Sequence, residues 1–277
     1  MKKFEVKNHE PSYVPDGEWE LIWSDEFDGT ELDMTKWDYR LHMWGGRHIT
    51  WGTEGVRLDG NSNAVFFAYE KDGEICSSQI QTGYNYTDAV PERQAGMNEG
   101  LVWPLGKFRK HKFLHTYGYY ECRCKLQKKP GWWSAFWLQS PIIGCCDDTA
   151  VAGVENDIME SFHPGIVIPH CNHYNGYGPD HQMQENGKGA ELSLDEYHTF
   201  GMLWDENGYT FYIDGKEDGH SDGPVSHRPQ FILLSTEING YREAGRKATE
   251  EAKKAVGDEF IVDYVRVFEK VNNLKNI

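Results

Sequence analysis

The chain has 277 residues, 39% of them apolar and 14% aromatic, with ten Trp and fifteen Tyr. Its 28 Lys and Arg against 44 Asp and Glu leave a formal charge of −16, spread along the sequence, which disfavours nucleic acid and anionic membrane as partners and fits a neutral one. No apolar run approaches the ~18 residues of a membrane-spanning helix, and the length suits one large β domain or two small ones, with a substantial core.

Residues 1–17 are polar, end in Pro15-Asp16-Gly17 and read as a flexible leader. They hold basic residues but no apolar stretch of the kind that directs secretion, so the expected location is cytoplasmic, or extracellular with the signal removed. From Trp19 onward, short strands separated by turn residues predict an all-β sandwich or barrel. Asp28-Gly29, Asp59-Gly60, Asp72-Gly73 and Asp214-Gly215 are turn signals, because Gly accepts positive φ and Asp bonds its own backbone. Residues 84–112, with Pro91, Gly96, Gly100 and Pro104, read as a long irregular loop at one rim. Residues 242–256 favour a short surface helix with i,i+4 charge pairs, and the alternating Phe260–Phe268 segment predicts a last strand. No internal repeat divides the chain, which is read as one domain over 18–270 with a tail at 271–277.

Six Cys stand at 76, 122, 124, 145, 146 and 171, without the spacing of a disulfide scaffold, so reduced thiols are expected. A zinc site across the Cys122/Cys124 and Cys145/Cys146 pairs lacks the usual two-to-four-residue gap. Arg40-Leu41-His42, Arg47-His48 and Lys107 to Lys112 are the basic patches that a sulfated polymer would need.

The most informative segment is Glu155-Asn156-Asp157-Ile158-Met159-Glu160, three carboxylates within a stretch that otherwise reads as a strand. Strand side chains alternate faces, so Glu155 and Asp157 share a face and Glu160 points away. A bulge near Ile158-Met159 returns Glu160 to the carboxylate face. Three acids on one face raise the pKa of at least one, which separates an ionised carboxylate from a protonated one. A paired nucleophile and acid of this kind is what glycoside hydrolysis requires. Upstream, Trp132-Trp133-Ser134-Ala135-Phe136-Trp137 supplies flat apolar rings on which a sugar face can stack.

Six landmarks in order resemble glycoside hydrolase family 16. They are Trp23 to Gly29, Tyr117 to Glu121, Ser134 to Leu138, the acidic Glu-x-Asp-x-x-Glu motif, Phe211 to Gly215, and Val262 to Val267. The resemblance implies a β-jelly roll of two antiparallel sheets with a concave cleft, and retaining endo-hydrolysis of β-1,3 or β-1,4 linkages in a β-glucan or β-galactan. It makes Glu155 the nucleophile, Glu160 the acid/base and Asp157 the carboxylate that tunes them. The family usually has an aliphatic residue where Asn156 stands, so a buried amide must find partners here.

Alternation along the aromatic strand puts Trp133, Ala135, Trp137 and Gln139 on one face, and the resemblance puts the Trp137 position in the cleft. His170, Asn172 and Tyr174 share a face of the strand expected beside the catalytic one and are assigned to the cleft, as is Glu237. The Thr236-Glu237 pair looks more like family members acting on β-galactans. His163, His170, His173 and His181 are read as neutral hydrogen-bonding groups of a sugar cleft and not as metal ligands. No cofactor is required, although the family's structural calcium would take Asp263 as a ligand with backbone oxygens. The expected partner is a polysaccharide or oligosaccharide, met by a monomer. A non-catalytic carbohydrate-binding module and a transglycosylase are the competing readings.

Overall fold

The computed structural model describes residues 1–90, 92–93, 99–103, 109–241 and 247–271. Two antiparallel sheets stack face to face as the jelly-roll sandwich that the alternating strands predict. The first has seven strands, ordered Gln182–Asn186, His170–Tyr174, Glu155–Ser161, Trp132–Gln139, Phe231–Ile238, Gln79–Gln81 and Asp38–Tyr39. The second runs Lys216–Ser221, Gly208–Ile213, His198–Asp205, Gly118–Lys125, Glu259–Lys270, Ala64–Phe67 and Val56–Leu58, with Trp19–Asp25 pairing to the far half of Glu259–Lys270.

The core fills the space between the sheets with the inward half of each alternating pattern. Phe136, Leu138, Ile158, Ile232 and Leu234 from the first sheet meet Cys122, Phe200, Met202, Phe211, Val265 and Val267 from the second, all fully buried. The outward half of Trp132–Gln139 faces the opposite way, toward the concave side. Two of the four Asp-Gly signals make tight hairpins with positive φ at both central residues, Asp72-Gly73 (52° and 82°) and Asp214-Gly215 (49° and 69°), the geometry that matches strand twist.

Residues 1–17 are not a loose leader. Lys2–Phe4 pairs with Ser12–Val14, and Phe4 sets its ring edge-on to Phe268 at 5.0 Å. Val14 joins Trp19, Tyr119 and Phe268 in a small apolar cluster outside the second sheet. The hairpin is held by alternating apolar contacts that its polar composition conceals.

The helix expected over 242–256 also differs. Residues 242–246 lie outside the described residues, and residues 247–251 lead without an α-helix into a single 3-10 turn at Ala252–Ala255. Ala252 and Ala255 are fully buried, and the Ala252 backbone packs so closely on Gly131 that a Cβ there would meet it at 2.4 Å. Tertiary packing has overridden helix propensity here. The loop expected over 84–112 contains a 3-10 turn at Tyr86–Asp88, capped by Asn85, and a ribbon of Glu92–Arg93 with Val102–Trp103. Pro91, Gly96 and Pro104 lie outside the described residues.

Candidate active site

The ladder between Trp132–Gln139 and Glu155–Ser161 shows how three acids come to one face. Gln139 pairs with Glu155, Trp137 with Asp157, Phe136 with Met159 and Ala135 with Glu160, so Ile158 is the extra residue. This is the expected bulge. Directly paired residues share a face, so Glu155, Asp157 and Glu160 all stand with Ala135, Trp137 and Gln139 on the concave side. Ile158 and Met159 both turn into the core and are fully buried, which anchors the bulge with apolar area.

The acids line a cleft of about 360 Å³ with Arg40, Gln79, Trp133, Trp137, His173, Tyr177 and Glu237 among its walls. Trp137 donates its indole N–H to Ser235 Oγ at 2.9 Å, which fixes the ring plane, and the Arg40 guanidinium lies over the ring, 5.3 Å from its centroid. Arg40 is itself held by Asp88, Nε to Oδ2 at 2.7 Å, and also lies over Trp51. Trp133 packs on Phe162 with centroids 5.0 Å apart.

Glu155 Oε2 accepts from Gln139 Nε2 at 2.9 Å and from the Tyr177 hydroxyl. Burial, followed by the charge of Asp157, raises the Glu155 carboxyl from the ordinary range to about 7, while His173, the Tyr177 hydrogen bond and Arg40 pull the other way. Burial first and the neighbouring acid second thus raise the carboxyl of Glu155, the residue assigned as the ionised nucleophile. His173 Nε2 sits 3.2 Å from Asp157 Oδ2. Burial opposes charging of this imidazole, but hydrogen bonds to Asp157 and Cys171 and the charges of Asp157 and Glu155 prevail and carry it to about 11. The pair is an imidazolium–carboxylate contact beside the nucleophile position, so His173 is a charged group and not the neutral histidine expected from the sequence, because the Asp157 carboxylate beside it outweighs its burial.

Trp133, Trp137, Gln139 and Glu237 stand at the cleft as assigned from the sequence. His170, Asn172 and Tyr174 do not. Glu155 pairs with His173, Asn156 with Asn172 and Asp157 with Cys171, so the strand beside the catalytic one shows the cleft its other face. His170 is buried between the sheets, stacked on Phe211 at 4.6 Å and bonded through Nδ1 to the Ile158 carbonyl at 2.7 Å. Asn172 Oδ1 accepts from Asn156 Nδ2 at 2.8 Å, and Asn156 Oδ1 accepts from Gln230 Nε2 at 3.0 Å. Those are the partners that the buried Asn156 amide needed. Tyr174 follows the same parity. His173 and His181 line the cleft as expected, while Cys171, Tyr177 and Arg40 are cleft residues that the sequence alone does not assign.

Asp263 does not fit a calcium ion. Its Oδ2 accepts from the Arg123 guanidinium, which itself stacks on Tyr197 at 4.4 Å, so a fixed positive group already stands where a cation would be. The two Cys pairs cannot share a zinc either, since Cys122 and Cys124 are buried in the core while Cys145 and Cys146 are exposed on a loop.

A family model described as "Beta-porphyranase A-D, GH16 domain" matches residues 19–270. The chain is 26% identical over 271 residues to the glucan endo-1,3-beta-glucosidase A1 of Niallia circulans, an alignment covering 90% of this chain and 38% of that protein. It is 27% identical over 276 residues to the kappa-carrageenase of Pseudoalteromonas carrageenovora, covering 90% of this chain and 64% of that one. The chain spans 38% to 50% of the length of the first curated relatives it matches. Among solved structures, the endo-beta-1,3-glucanase from Pyrococcus furiosus has the same fold, with a TM-score of 0.65 at 22% identity, covering 94% of this chain and 98% of that one. A family match that runs from the first strand of the second sheet to the end of its last, and takes in the bulged acidic strand, has one consequence: the chain belongs to glycoside hydrolase family 16.

Proposed function

We propose that the chain is a retaining endo-β-glycosidase that cuts a galactan of the porphyran type. The observation that carries the chemistry is the bulge at Ile158, which brings Glu155, Asp157 and Glu160 to one face of one strand beneath Trp133 and Trp137. With the bulge, Glu155 and Glu160 are about four strand steps apart, ~13 Å between Cα atoms. Double displacement then requires the two glutamate arms to lean together over Asp157 to a carboxyl separation of ~5–5.5 Å, within reach of two such side chains. A sugar stacked on Trp137 presents its anomeric carbon to Glu155, which attacks from below while Glu160 protonates the departing oxygen. Glu160, now a base, then takes a proton from the water that releases the glycosyl ester. Asp157, paired with the His173 imidazolium, keeps a fixed charge between them. The galactan reading is supported by the family model's description and by the kappa-carrageenase relative.

The test is a panel of laminarin, mixed-linkage glucan, agarose, porphyran and carrageenan with products resolved by size, and proton NMR of the anomer first formed. Porphyran oligosaccharides appearing first as the β-anomer are expected. An α-anomer would make the enzyme inverting, cleavage of laminarin alone would make it a glucanase, and binding without cleavage would make it a sugar-binding module.

The acid limb of kcat/KM should lie near pH 7, because Glu155 attacks only when ionised and its carboxyl is raised to about 7. Tyr177→Phe removes a donor that favours the charged form, so the limb should move to higher pH by about one unit, the worth of roughly 1.5 kcal/mol for a hydrogen bond to a charged group. A limb unmoved or moved downward in this variant would remove Tyr177 from that role.

A further inference from the structure

Three ligand atoms of different kinds meet in one wall of the cleft. A carboxylate oxygen of Asp157, the Cys171 sulfur and an imidazole nitrogen of His173 all lie within 4.8 Å of one another. Strand register fixes the trio, since Asp157 pairs directly with Cys171 and His173 follows two residues later on the same face. The three also open onto the cleft, which gives an entry path.

We propose that Asp157, Cys171 and His173 form a binding site for a zinc-class divalent ion, and that its occupancy holds the enzyme inactive. The binding half is independent of the proposed hydrolysis; the inhibitory half rests on it. One sulfur, one imidazole and one carboxylate suit a borderline-soft ion with a fourth position left open, and are poorly matched to calcium or magnesium, which take oxygen. The imidazole already has an outer hydrogen-bond partner on its other nitrogen, here a second histidine. His173 Nδ1 lies 2.8 Å from His181 Nε2 with the two rings stacked at an interplanar angle of 12°, and this turns Nε2 toward Asp157.

Electrostatics favour a dication. Glu155, Asp157, Glu160, Glu185 and Glu237 line the same cleft against Arg40, whose charge is already met by Asp88, and the His173 imidazolium, whose proton the ion displaces. Acidic groups therefore outnumber basic ones at the mouth and attract positive charge. On binding, the ion replaces the proton held between Asp157 and His173 and the Cys171 thiol proton. Both leave to solvent, and carboxylate, thiolate and dication sum to zero charge. No oxidation or reduction is involved. The ion ties up the carboxylate that stands between Glu155 and Glu160 and, with its open fourth position, occupies the wall of the cleft against which the sugar must seat, so the reacting sugar is kept from its place between the two glutamates.

The test uses the full chain, kept reduced, with Cys145 and Cys146 changed to Ser so that no exposed thiol competes. Titration with cobalt(II) should produce a thiolate-to-cobalt charge-transfer band and the strong visible bands of a four-coordinate ion, and zinc(II) should erase both. Cys171→Ser should abolish the charge-transfer band, and His173→Gln, which keeps the sulfur but removes a ligand, should weaken binding by more than the roughly hundredfold that loss of an outer partner costs, with far-UV circular dichroism unchanged. Zinc should suppress hydrolysis in step with occupancy, and a chelator should restore it. Absence of the band, or a band that survives Cys171→Ser, overturns the site. Full occupancy with undiminished turnover overturns its inhibitory role. A Cys171-dependent band in a chain that cleaves no polymer supports the ion site and overturns the inhibition, separating this failure from that of the hydrolase reading.

Discussion

Glu155→Gln will cut hydrolysis on the order of 10⁴-fold or more and leave polymer binding nearly intact. The substitution keeps the size of the side chain and one acceptor oxygen for Gln139 and Tyr177, but a neutral amide cannot form the glycosyl ester. It should also stabilise the protein. The Glu155 carboxyl is raised to about 7 in the folded chain, against 4.5 for the unperturbed group, so the folded state holds its proton more tightly than the unfolded state does. Stability is therefore lost as pH rises from the lower value through the upper one, and the charge costs about 1–3 kcal/mol by pH 8. Removing it should raise Tm at pH 8 and leave Tm unchanged at pH 4. Lost turnover with a raised Tm excludes unfolding as the cause. Azide then separates the two glutamates. In Glu155→Ala it enters from the side that the nucleophile vacated and gives the α-azide, whereas in Glu160→Ala it intercepts the glycosyl-enzyme from the opposite side and gives the β-azide. A Glu155→Gln protein with more than about a tenth of wild-type kcat would remove Glu155 from its role.

The catalytic strand is legible in the sequence because its defect is legible. A period of two that fails by one residue between Asp157 and Glu160 is repaired by one bulged residue, and the ladder places it at Ile158. The neighbouring strand invites an error of the same one-residue step. His170, Cys171, Asn172, His173 and Tyr174 are polar or small on both faces, so no apolar alternation says which face is inward. The clue lies in Asn156. A buried amide on the core side of the catalytic strand demands a polar core neighbour, and Asn172, opposite it in register, meets that demand. Placing Asn172 inward puts Cys171 and His173 in the cleft. Arg40 and Tyr177 are beyond the reach of sequence for a different reason, since both come from segments distant along the chain whose approach to Glu155 depends on loop conformation and not on any period. The N-terminal hairpin escapes notice because the residues that dock it, Phe4 and Val14, are too few to mark a strand pair.

That hairpin is also where the largest stability loss is expected. Arg266 is fully buried in the last strand. Its Nε and Nη2 form a two-pronged bond with Glu26 at 2.9 and 2.7 Å, and Nη1 donates to the Glu10 carbonyl at 2.8 Å and to Ser12 Oγ at 2.9 Å. Its guanidinium carbon lies 3.5 Å over the Tyr264 ring. One side chain thus ties residues 1–17 to the second sheet while cancelling a largely buried carboxylate. Arg266→Met fills similar volume but leaves Glu26 with only the His9 imidazole, 3.9 Å away, and a backbone carbonyl without its donor, and should cost about 3–5 kcal/mol, or roughly 10 °C of Tm in a chain of this size. It also withdraws the positive charge that opposes the burial of Glu121, whose carboxyl is already raised. Adding Glu26→Gln removes the unpaired charge and should recover part of the loss, as expected where an orphaned ion and not the missing bond carries most of the cost. Proteolysis should then release residues 1–17 first in the single variant. The catalytic strand belongs to the other sheet, so kcat well below the melting transition should match wild type. A parallel fall in kcat would mean that the second sheet sets the shape of the cleft through the core, and that Arg266 holds more than the hairpin.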